Sequence, residues 1–138
     1  MRESATEMND LESSVVRFCA EAGADPLLVQ GAGGNVSWKE GGTLWVKASG
    51  TWLSDAATQQ IFVPVDLTVL KAAIDSGNYA VAPTPISSSD LRPSIETLLH
   101  ALMPHTVVVH LHAVDILARM VRRNCEDELR ALIGTRLP

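Results

Sequence analysis

The sequence has little of what marks several large protein classes. It holds only two cysteines, Cys19 and Cys125. They lie far apart and match no metal-ligand spacing, so reduced, unpaired thiols in the cytosol are the default reading. No run approaches the roughly 18 consecutive apolar residues of a membrane span. The opening residues Met1-Arg2-Glu3-Ser4 are polar and lead into no apolar stretch, so no signal peptide is expected. Basic clusters are scarce as well. Arg119, Arg122 and Arg123 make one small basic turn, read as a solvated helix face. With a formal net charge of −5, neither nucleic acid nor membrane is an expected partner, and the expected location is cytoplasmic. No internal repeat is visible.

What remains is a globular composition, with 46% hydrophobic and 20% charged residues. A chain of 138 residues suits one domain with a real core, and residues 1–138 are read as such, the first eight as a loose tail. Asn9 or Asp10 can cap a first helix, with Leu11, Val15, Phe18, Cys19 and Ala22 at helical spacing and Gly23 as terminator. A glycine-rich loop, Gly31-Ala32-Gly33-Gly34-Asn35, leads into a strand. Gly41-Gly42 turns the chain into a hairpin whose return strand is Thr43 to Ala48. Ile61 to Val65 reads as an edge strand because of Pro64. Asp66 caps a second helix that stops near Gly77. Tyr79 to Asp90 is a Pro/Ser-rich surface loop. Arg92-Pro93-Ser94 starts a third helix carrying Glu96, Leu99, His100 and Met103. Thr106 to His112 is a buried strand, and two helices follow, Ala113–Arg122 and Glu126–Ile133. The order predicts a layered αβα sandwich of the α/β class, with a mixed, largely antiparallel central sheet.

Four features could carry chemistry, and each is weak alone. In a strand, His110 and His112 point to one face with Cα atoms about 6.6 Å apart, close enough to converge on one metal ion. A bland alternative places them at the wet end of the strand. The loop Gly33-Gly34-Asn35 could cradle an anion with backbone N–H groups, or be a plain turn. It is neither a Walker loop nor a dinucleotide fingerprint. Ser49-Gly50 offers a similar N–H and hydroxyl pair. Glu96 is either a helix-start carboxylate or a base. His100, four residues on, shares its helix face and could support a site there, although packing or surface roles are the default for His100 and His105.

Taken in order, Gly33-Gly34-Asn35-Val36-Ser37, Lys47-Ala48-Ser49-Gly50, Arg92-Pro93-Ser94-Ile95-Glu96 and Val109-His110-Leu111-His112 resemble the class II aldolase/adducin family. They are most similar to the aldolase part of bifunctional rhamnulose-phosphate aldolase/short-chain dehydrogenase proteins. The resemblance runs from about Leu27 to Arg119. It implies zinc-dependent aldol cleavage of a sugar phosphate or related hydroxy-carbonyl compound through a metal-stabilised enediolate. By the same resemblance His110 and His112 are metal ligands for Zn²⁺ or another divalent ion, and Glu96 is the base, able to touch the metal when no substrate is bound. Gly34, Asn35, Ser49, Gly50 and Ser94 correspond to the phosphate pocket.

Two departures qualify this. Ile95 stands where the family pattern has a second serine, which weakens the phosphate pocket. The family's third zinc histidine comes from a later strand, and no histidine follows His112 here. The chain is therefore read as C-terminally truncated relative to the family, with weaker metal binding unless another subunit helps. An unpaired sheet edge and exposed apolar surface would then favour a homo-oligomer. The rival readings are a non-catalytic, adducin-like interaction module and a related zinc lyase or decarboxylase.

Overall fold

A computed structural model describes residues 10–134; the expected tail at residues 1–8 and the alternative cap Asn9 lie outside the described residues. The elements are α1 (Asp10–Ala24), β1 (Asn35–Glu40), β2 (Thr43–Lys47), a single 3₁₀ turn (Leu53–Asp55), β3 (Phe62–Asp66), α2 (Leu67–Asp75), α3 (Thr97–Leu102), β4 (Val107–His110), α4 (Val114–Met120) and α5 (Cys125–Ile133). The four strands form one sheet in the order β3-β2-β1-β4. Every pairing among them is antiparallel, so the expected largely antiparallel sheet has no parallel pair among the described strands.

Directly paired residues share a face of a sheet, which sorts the side chains into two layers. Val36, Trp38 and Phe62 face one way and pack with Val15 and Cys19 of α1 and with Leu53 of the 3₁₀ turn. Trp38 stacks on its cross-strand partner Trp45, ring centroids 5.6 Å apart, and meets Phe62 edge-on at 4.8 Å. Leu44, Val46, Val63 and Val65 face the other way, against Leu67 and Leu70 of α2 and Ala101 of α3. Helices thus cover both faces, the layered arrangement expected.

Local signals set several boundaries. Gly41 and Gly42 both take positive φ (54° and 84°), the conformation a two-residue hairpin turn of this hand requires. Asp66 Oδ1 accepts from the N–H groups of Thr68 (2.8 Å) and Val69 (3.1 Å), capping α2. Gly23 does not terminate α1 but lies in its last turn. A Cβ there would stand 2.3 Å from the Ser54 backbone nitrogen, so the glycine lets α1 lie directly on the 3₁₀ turn.

Two expectations are corrected. The third helix starts at Thr97 rather than near Pro93, and Glu96 occupies the position before it. Ser94 N–H donates to the Lys47 carbonyl and Pro93 bridges Ala48, which keeps 93–94 extended alongside the end of β2. The histidine strand is an edge strand, not a buried one, and it ends at His110. Val109 is 43% exposed, and nothing among the described residues pairs with the outer side of β4.

Candidate functional site

The site follows from the register. β1 runs antiparallel to both neighbours, so its beginning meets the ends of both. One end of the sheet therefore collects Gly33-Gly34-Asn35, Ala48-Ser49-Gly50 and His110-Leu111-His112. Asn35 pairs directly with His110, and Ser37 is two residues along on the same face. That face is covered by α3, which brings His100 and Glu96 against it.

Glu96 is the centre of the cluster. Its Oε2 accepts from His110 Nδ1 at 2.8 Å and lies 3.6 Å from His100 Nε2. Burial opposes ionisation of Glu96, yet the hydrogen bond and charge of His110, aided by Asn35 and His100, outweigh it and hold the carboxyl below its ordinary pKa. At neutral pH it is a carboxylate, the form a base needs. Asn35 is fully buried beside it and favours that ionised form, but neither Asn35 Oδ1 nor Nδ2 makes a hydrogen bond of normal geometry. A buried amide left without a hydrogen bond of normal geometry is costly, which suits it to meet a polar ligand group.

His112 lies beyond the strand end, where its N–H donates to the Leu28 carbonyl at 2.9 Å. The expected alternation along one strand therefore does not orient it. The two imidazoles nevertheless approach edge to face, ring centroids 5.0 Å apart. Gly33 and Gly34 make room for them. A Cβ on Gly33 would lie 2.9 Å from His112 Nδ1, and one on Gly34 would lie 3.1 Å from the His110 carbonyl. Gly34 also holds φ at 71°. Close packing thus accounts for both glycines, beside any role in an anion cradle.

Two imidazoles suit a borderline divalent ion in donor type. Glu96 is hydrogen-bonded to His110 Nδ1, the geometry of a carboxylate that orients an imidazole. Among the described residues no three His, Cys, Asp or Glu side chains are arranged to hold a metal ion. The donor set therefore fits a divalent ion in kind but is short by one ligand.

The second loop is tied to the first by a residue the sequence did not single out. Lys47 is buried, and its Nζ donates to the carbonyls of Thr51 (2.7 Å), Ala32 (3.2 Å) and Ala48 (3.3 Å). It pins Ala48–Thr51 to the loop before Asn35. Burial lowers its pKa, partly offset by the charge of Glu96. Ser49 and Gly50 are exposed at this end, Gly50 with φ at 79°. Ser49 N–H donates to the Arg92 carbonyl, which links the second loop to the segment leading into Glu96. Ser94 Oγ accepts from Glu96 N–H at 3.2 Å. Ile95, in contrast, is 95% exposed. His105 is exposed, its carbonyl accepting from Lys39 Nζ at 2.9 Å, and is remote in role from the cluster.

His100 is a second residue that the structure draws into the cluster. It is fully buried, with Nδ1 2.7 Å from Ser37 Oγ. The spacing of four from Glu96 was the available signal; the contact with Ser37 was not.

These positions can be set beside known proteins. Among curated proteins nothing matches the sequence significantly. A solved structure, the N-terminal class II aldolase domain of a conserved protein from Thermoplasma acidophilum, is 28% identical, with a TM-score of 0.75 over 96% of this chain and 69% of that one. Residues 13–133 match the profile described as the class II aldolase and adducin N-terminal domain. That span contains every residue of the sheet-end cluster, and the chain belongs to the class II aldolase and adducin family.

Proposed function

We propose that this domain carries out metal-assisted aldol cleavage of a small hydroxy-carbonyl compound, a sugar phosphate being the leading class. The observation that carries the reading is the Glu96 carboxylate bonded to His110 at 2.8 Å beside the unpartnered, buried Asn35 amide. His110 and His112 would hold a divalent ion, zinc by family, together with a further ligand from outside the described residues. Such an ion supplies Lewis acidity toward a carbonyl oxygen.

The chain's own residues define the rest. Glu96 removes the proton next to the carbonyl in the condensation direction and returns it to the same carbon in cleavage. Its depressed pKa keeps it unprotonated at neutral pH. Asn35 meets a polar oxygen of the substrate. Gly34, Ser49, Gly50 and Ser94 line the anion end, where Lys47 fixes the two loops relative to each other. With Ile95 turned to solvent, this end offers fewer hydroxyls than the family pattern, which leaves unphosphorylated substrates in play. Because the ligand set is short by one, we further propose that a second copy of the chain supports the site. The short ligand set also keeps a second reading alive, a non-catalytic interaction module on the same scaffold.

The test loads purified protein with zinc, counts bound metal by elemental analysis, and screens ketose 1-phosphates and free ketoses for cleavage. Wild type should bind zinc and cleave at least one substrate. His110→Ala and His112→Ala should lose zinc, while Glu96→Gln should keep zinc and lose cleavage by about 10²–10⁴-fold. Zinc-free wild type with no cleavage that depends on His110 would leave only the interaction module.

A further inference from the structure

The Glu96 carboxylate touches two imidazoles through one oxygen. His110 reaches Oε2 from the strand and His100 reaches it from α3. His100 is the fully buried one, and its Nε2 has no hydrogen-bond partner of normal geometry. A buried polar nitrogen left 3.6 Å from a carboxylate calls for an explanation.

The Ser37 hydroxyl supplies it. A neutral imidazole carries its proton on one nitrogen only. If His100 carried it on Nδ1, donating to Ser37 Oγ, its Nε2 lone pair would face the carboxylate, two acceptors with nothing between them. If Ser37 Oγ–H donates to Nδ1, the proton sits on Nε2 and points at Oε2. The second arrangement satisfies both contacts at once. Catalytic hydrogen bonds often start long and tighten in the complex with substrate.

Resting on the aldolase reading above, we propose that His100 is a positioning residue for Glu96: Ser37 fixes its tautomer, and its Nε2–H holds Oε2 so that Oε1 faces the substrate proton. The Ser37–His100–Glu96 chain runs from the middle of β1 through α3 to the site. It takes the orientation of the base out of a flexible side chain and places it in the packed layer between sheet and helix. His100 touches no reacting atom in this arrangement.

Two measurements test it. In protein labelled with ¹⁵N in its histidines, long-range ¹H–¹⁵N NMR should show His100 as the Nε2–H tautomer. Ser37→Ala should mix its tautomers, and Glu96→Gln should shift its Nε2–H resonance. In turnover, His100→Phe should lower kcat about ten- to a hundredfold with KM little changed. His100→Gln, which keeps an N–H near the Nε2 position, should recover a large part of that loss. An Nδ1–H tautomer in wild type, or an Nε2–H resonance indifferent to Glu96→Gln, overturns the proposal. So does equal turnover by the Phe and Gln variants. If wild type cleaves nothing, the aldolase reading fails while the NMR result still decides the placement of His100.

Discussion

Lys47 ends β2 with its ammonium turned into the protein, where Thr51, Ala32 and Ala48 each offer a carbonyl oxygen. The Ala32 carbonyl belongs to the first candidate anion loop, and those of Ala48 and Thr51 to the second. Replacing Lys47 by Met keeps most of the stem and leaves the carbonyls without their charged donor. A lost charge-assisted bond with its acceptors stranded costs about 1–3 kcal/mol. Urea unfolding of Lys47→Met should show a loss in that range, and a variant as stable as wild type would remove Lys47 from this role. Neighbouring Cys19 is no rival nucleophile, since burial pushes its thiol pKa up to about 12. The four-block resemblance made Glu96, His110 and Asn35 legible, and the structure brings them together. Lys47 lies in one of those blocks, but its role is not legible there because its partners lie on separate loops. No local pattern records a contact between residues 32 and 47.

At the level of elements, α3 is too short to be stable alone and depends on what it buries, namely Thr97, His100 and Ala101. That dependence has a pH consequence. Burial lowers the pKa of His100 from its ordinary 6.5, with Glu96 opposing part of the shift. Above pH 6.5 the residue is neutral in both folded and unfolded chains, so no stability is lost. Below it the unfolded chain takes up a proton that the folded one resists, and stability falls as pH drops toward the folded pKa. Glu96, with its carboxyl held below an ordinary 4.5, adds a second loss only as pH falls below that value. Urea midpoints at pH 7, 6 and 5 should therefore decline for wild type and decline less for His100→Gln. Parallel declines would place the effect elsewhere. The elements that were easiest to read were those set by local chemistry, such as the Gly41-Gly42 hairpin and the Asp66 cap. The start of α3 was not, because a hydrogen bond from Ser94 to Lys47, across a long stretch of chain, holds it open. The edge position of β4 was hidden for a related reason. A run of valines reads alike in the middle of a sheet and at its rim, and only the pairing partner tells them apart.

The whole molecule joins a well-covered sheet to a poorly covered flank. α1 and the 3₁₀ turn close one face, and α2 and α3 close the other. β4, α4 and α5 bury far less: neither α4 nor α5 contains a buried residue, and Val109, Val114, Ile116, Leu117, Met120 and Val121 are exposed. An edge strand with free backbone groups beside an apolar surface is the arrangement that soluble chains ordinarily cover or break with charge. Here the ion pairs of Glu128 with Arg119 and Arg122 tie α4 to α5 without covering that surface. The expectation of self-association rests on an unpaired sheet edge and exposed apolar surface, and we propose that it acts through this flank. Sedimentation velocity at increasing concentration should show a dimer or larger species for wild type. Val109→Lys places a charge on the exposed side of β4, where folding should tolerate it, and should shift the protein toward monomer. If a second copy supports the site, zinc affinity should fall in that same variant, although the Val109 side chain lies on the opposite face of the sheet from His110. A wild-type protein that stays monomeric at every concentration would separate the exposed flank from the site, and the missing ligand would then have to be sought within one chain.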